Sequence, residues 1–124
     1  MLNTLLADTV IGVIETHPET HNQHDWGYET ACGTTMCVAG HAAVLSGAKL
    51  NYFDFGNERK AYECTLPDGT ITGIDRYAQE MLGLTDEQAD NLFYNMNNDL
   101  DVIKNIFKDI ANGGTGLVDG ITDN

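Results

Sequence analysis

Hydrophobic positions near the start of the chain recur at helical spacing. Leu2, Leu5, Leu6, Thr9, Val10, Val13 and Ile14 line one face of a 3.6-residue period. The pattern predicts a helix to about His17, stopped by Pro18, which pushes the residue before it out of helical geometry. Residues 18–33, P-E-T-H-N-Q-H-D-W-G-Y-E-T-A-C-G, show no period and read as a long loop pinned to the core by Trp26 and Tyr28. Thr34 or Thr35 is then the expected N-cap of a second helix, M-C-V-A-G-H-A-A-V-L-S, ended by Gly47. Nearly every side of that helix is apolar or small, the pattern of a helix buried all round.

The pattern changes period in the middle of the chain. Y-F-D-F and A-Y-E-C-T-L-P-D-G-T-I-T read as short strands, and Pro67-Asp68-Gly69 is turn chemistry for a β-hairpin. Helical spacing then returns. Thr72 and Asp75 suggest a capping box ahead of a helix with Ile74, Tyr77, Ala78, Met81 and Leu82 on one face, ended by Gly83. Thr85 and Gln88 suggest a second capping box, for a helix facing inward through Ala89, Leu92, Phe93 and Met96. A last helix from about Asp99 carries Val102, Ile103, Ile106, Phe107 and Ile110 and stops at Asn112-Gly113-Gly114. The prediction is a mainly α (α+β) fold, a compact bundle of about five helices with one small β-hairpin. Residues 1–112 form one domain, and 113–124 a mobile Gly-rich tail.

Charge narrows the function classes. Among 124 residues, 19 are acidic and 6 basic, for a net charge of −13. Such a chain repels nucleic acid and anionic lipid, so a partner surface should be basic or neutral. The basic residues form no patch able to neutralise several phosphates, which excludes direct nucleic-acid binding. The N-terminal stretch lacks a positive n-region and its apolar runs are too short for a bilayer, so a soluble cytoplasmic protein without a membrane partner is expected. Carboxylates on a small protein can also imitate phosphates and occupy a basic groove. The residues suited to that are Asp86, Glu87 and Asp90, with Asp99 and Asp101 at the next helix start. Helix-dipole compensation accounts for several of them without any partner.

The stretch C-G-T-T-M-C-V-A-G-H, residues 32–41, gathers the chemically reactive types. Cys32, Cys37 and His41 are possible zinc ligands, with His17, His21, His24 or Cys64 as a fourth, although C-x4-C running into a buried helix is not the tight knuckle of structural zinc sites. Cys32 near a helix N-terminus, with His41 or one of the loop histidines as base and Asp25 orienting one of them, is a candidate thiol nucleophile, but no cation stands nearby to lower its pKa. The reading preferred over both makes Cys32 and Cys37 small buried hydrophobes and His41 a core histidine, with no cofactor and no catalytic residue. A calcium loop at residues 68–75 fails because Cys64 and Leu66 stand where its first carboxylates belong. Asn112 to Gly116 lacks the P-loop lysine and follows a helix instead of opening one.

The order of motifs, H-P-E, then D-W, then C-G-T-T-M-C-V-A-G-H-A-A, then L-G-L-T-D-E-Q-A-D-N-L-F, resembles small bacteriophage and bacterial proteins with a C-G-T-x-x-C-x-A-G-x-A core. The resemblance covers roughly residues 10–95 and brings no assigned activity. In similar sequences Trp can replace His41, which suits packing. The resemblance implies an accessory protein that binds and modulates a host protein in the host cytoplasm. The partner surface would be the acidic positions above or the loop containing His21, His24, Asp25 and Trp26. The alternative is a metal-binding or cysteine-dependent enzyme centred on Cys32, Cys37 and His41.

Overall fold

The computed structural model describes residues 2–21, 27–30, 33–56, 58–94 and 99–118. The fold is mainly α, with five α-helices and a small antiparallel sheet among the described residues. Helix α1 (Thr4–Thr16) is capped by Asn3, whose Oδ1 accepts from the Leu6 N–H at 3.1 Å. Asn3 also ties α1 to a distant helix end, donating from its backbone N–H to the Leu82 carbonyl at 2.7 Å and from Nδ2 to the Met81 carbonyl at 3.1 Å. The buried stripe of α1 is Ala7, Val10 and Ile14. The periodicity is therefore correct but its centre is rotated. Ala7 takes the inward position, while Leu5 is 78% exposed and Thr9 turns outward to donate to the Leu5 carbonyl.

A single 3-10 turn, Pro18–Thr20, follows α1. The segment read as loop then holds two short strands, β1 (Gly27–Thr30) and β2 (Gly33–Thr35). Helix α2 (Val38–Leu45) begins later than expected. Thr34 and Thr35 belong to β2, and the N-cap is Cys37, which makes no side-chain capping bond. Its first six residues, Val38 to Ala43, are all buried. α1 packs on one side of it, and the remaining sides meet β3 (Lys49–Phe55), α3 (Ile74–Leu82) and α4 (Asp86–Phe93).

Strand β3 pairs with β4 (Glu58–Thr65), and β4 pairs with β5 (Ile71–Gly73), so the expected hairpin is present. Gly69, at φ +91°, occupies the left-handed turn position, and the Asp68 carboxylate accepts from the Thr70 N–H at 2.9 Å. That bond holds the Asp68 carboxyl below its ordinary pKa. The sheet extends beyond the hairpin in the order β2-β1-β4-β3, every pairing antiparallel, which leaves β3 at an edge. A register shift at Asn51/Tyr52 places Tyr62 as an extra residue in β4. Leu50, Ala61 and Cys64 turn inward to the core.

Helix α3 does not use the expected capping box. Thr72 lies in β5 opposite Cys64, and Gly73 is the N-cap without a side-chain bond. Its C-terminus is as expected: Gly83, at φ +73°, lets the Leu84 N–H reach the Gln79 carbonyl and its own N–H reach that of Glu80. At α4 the Thr85–Gln88 capping box is complete in both directions. α5 (Leu100–Ala111) is capped by Asp99 and buries Ile103, Ile106, Phe107 and Ile110. The first part of the expected tail is fastened. Gln88 donates to the Gly114 carbonyl, Asn91 to that of Thr115, and the Asp109 carboxylate accepts from the Gly116 N–H. Residues 119–124 lie outside the described residues.

The two threonines separate a real cap from an apparent one. Thr85→Ala should lower unfolding free energy by about 1 kcal/mol in urea denaturation, whereas Thr72→Ala, which removes no cap, should stay within about 0.5 kcal/mol.

Candidate functional site

The cysteine and histidine stretch is split between strand, helix cap and core. Cys37, 1% exposed, ends the extended segment, and His41, 2% exposed, lies one turn into α2. Strand-like pairing of His21 with Met36 brings the His21 ring beside that of His41, with centroids 6.5 Å apart and planes tilted by 34°. Cys64 lies apart on β4, fully buried, and burial followed by the neighbouring Glu63 charge pushes its thiol pKa up. A thiol in that state is a poor nucleophile at neutral pH. Among the described residues no disulfide joins Cys37 to Cys64. His17 is on the surface, 3.3 Å from the Glu19 carboxylate.

Among the described residues, no three His, Cys, Asp or Glu side chains gather into a group able to hold a metal ion. Cys32, His24, Asp25 and Trp26 lie outside the described residues. Of the zinc and thiol alternatives, the structure thus locates Cys37 and His41, four apart and both in the core. It adds His21 as the neighbour of His41.

The acidic positions fall on two helix starts. Asp86 and Glu87 open α4 and Asp90 follows one turn later, all exposed. Asp99 is engaged as the α5 cap, and Asp101 stands in the first turn of that helix, where the dipole favours a carboxylate. Asp86 borders an open polar groove with Thr72, Asp75, Arg76, Gln79 and Glu80. Gln79 braces this groove, donating from Nε2 to Asp86 Oδ1 at 2.8 Å and to the Leu84 carbonyl at 3.3 Å.

Sequence patterning missed the neighbour that reports on this charge. Tyr94, the C-cap of α4, donates its hydroxyl to Asp75 Oδ2 at 2.6 Å. Its pKa is pushed up to about 12, first by desolvation, then by the Asp75 hydrogen bond and the negative field of Asp75 and Asp90, with Arg76 opposing. The one available signal was a tyrosine three residues past Asn91 at the end of an acidic helix. It does not reveal a partner nineteen positions earlier. Tyr77 is also raised, chiefly by burial, and its hydroxyl donates to the Ser46 carbonyl.

A different group of exposed side chains was also missed. Phe53, Phe55 and Tyr62 are each 44–50% exposed on the β3–β4 hairpin, and the rings of Phe55 and Tyr62 meet edge to face at 5.7 Å. Among the described residues, no helix is long and apolar enough to cross a membrane. Comparison with protein-family models, curated proteins and solved structures finds no match to this chain.

Two measurements check these placements. In a spectrophotometric titration, one tyrosine should ionise at about 12. Asp75→Asn should move that transition down, and Tyr94→Phe should remove it. Because the unfolded chain releases this proton first, near the ordinary value of about 10, stability from Tyr94 is complete below that pH and is lost as pH rises through 12. Residue-resolved alkylation should label Cys37 and Cys64 only after denaturation.

Proposed function

We propose that the protein is a small accessory module of bacteriophage type that binds and modulates a host protein, presenting its carboxylates to a basic surface. One observation supports the reading: α3 and α4 carry Asp75, Glu80, Asp86, Glu87 and Asp90 against the single cation Arg76. Among the described residues none of these five carboxylates stands in an ion pair, whereas Asp54, Glu58, Glu15 and Glu19 each face a basic side chain.

Uncompensated carboxylates in series act on a basic partner as backbone phosphates do, through long-range attraction and fast encounter. The groove braced by Gln79 gives the patch a fixed shape. The burial of Cys37 and His41 favours a packing role for them over a zinc or thiol centre with Cys32.

Binding of the full chain to the protein it captures from host lysate should weaken about tenfold between about 50 and 300 mM salt, as the Debye length falls from about 14 to about 6 Å, and about tenfold again in Asp86→Asn/Asp90→Asn. Salt-insensitive capture, or capture unchanged by the double substitution, would reject the charge-mimic reading. One tightly held zinc per chain by elemental analysis would instead favour the metal alternative.

A further inference from the structure

We infer that the free edge of β3, with the groove between it and α2, binds an extended, acidic and apolar segment of a protein partner by adding it as a further strand to the sheet. The inference goes beyond the acidic surface of α3 and α4 and does not rest on it. Among the described residues β4 is the one strand paired with β3, so β3 forms an edge of the sheet, where alternate residues direct N–H and C=O groups outward. An exposed edge of that kind is a template for an incoming strand.

The groove beside the edge states the chemistry of the segment. It is an open trough of ≈ 790 Å³ whose apolar wall includes Met36, Val44, Leu50 and Tyr52; among the described residues its charged side chains are Lys49 and Arg59, with no carboxylate. In a chain of net charge −13, that is a local reversal of sign. Lys49 is exposed and makes no ion pair among the described residues. Arg59 reaches Asp54 only at 3.7 Å, with both side chains at least half exposed, and its guanidinium lies 5.9 Å from the Tyr52 ring centre. A surface pair of that kind contributes little and yields readily to a better-placed carboxylate.

The occupant that fits is a strand with apolar side chains toward the Val44–Leu50 wall and an Asp or Glu near Lys49. A second copy of this chain fits less well. Two-fold pairing of β3 would join two molecules each of net charge −13 and would bring the Lys49 end of one copy beside the Asp54 end of the other, leaving no place for a further carboxylate at Lys49.

The test is selection of displayed random peptides of about ten residues, enough to cover the roughly 23 Å of β3, on the immobilised full chain. Enriched peptides should alternate apolar with other residues and carry Asp or Glu. In amide-resolved NMR, a synthetic enriched peptide should shift β3, Met36 and Val44, and N-methylation at alternate peptide positions should abolish binding. Lys49→Glu, with an unchanged circular dichroism spectrum, should weaken binding about fivefold, while Asp86→Asn/Asp90→Asn should leave it as in the unsubstituted protein. Failure to enrich any peptide, enrichment of basic peptides, shifts confined to α3 and α4, or indifference to N-methylation would overturn the inference. Concentration-dependent self-association through β3 would overturn it in favour of a second copy. Because the acidic surface is read by the double substitution, the two proposals can fail independently.

Discussion

Burial of Val38–Ala43, the first six residues of α2, is the constraint to which the rest of the fold answers. That stretch has no polar face, so other elements must cover it on every side, while Val44 and Leu45 in the last turn are 41% exposed. The small residues Ala39, Ala42 and Ala43 are each fully buried. Their size admits α1 and α3 close to the helix backbone, and the sheet and α4 complete the enclosure. His41 is the one buried polar side chain among the described residues, and the ring of His21 beside it brings a polar neighbour into the same place. Cys37 and His41 are both enclosed at this helix start.

The legible parts of the fold were those whose signal is local. Thr85 and Gln88 announce a cap because both partners lie within four residues, and Gly83 and Pro67-Asp68-Gly69 announce stops and turns for the same reason. Thr72 fits the same spacing rule, yet its backbone is drawn into β5 by Cys64, a partner outside any local window. Tertiary pairing overrode a valid local preference. β1 and β2 escaped notice because strands of four and three residues show no measurable alternation. The displaced start of α2 follows from that omission, since Thr34 and Thr35 were available as caps only if β2 did not exist.

The site followed the same division. Burial of Cys37 and His41 was legible in the apolar run around them, and exposure of Asp86, Glu87 and Asp90 in the opposite face of an amphipathic helix. The Tyr94–Asp75 bond, the His21–His41 contact and the gathering of Lys49 and Arg59 at one groove depend on the packing of separate elements. The surface that results has two electrostatic characters, carboxylates on one pair of helices and a smaller cationic trough at the sheet edge. Net charge alone describes only the first.

The triple use of Asn3 sets an order on assembly. Its side chain starts α1, but its other two bonds go to the Met81 and Leu82 carbonyls at the end of α3, the nearer of them 78 positions further along. At roughly 5–20 residues per second on the ribosome, α1 emerges on the order of 4–16 seconds before the helix end that receives it has been made. During that interval α2 is the partner already made for its apolar stripe, and the docking of α1 is completed only once the end of α3 has been synthesised.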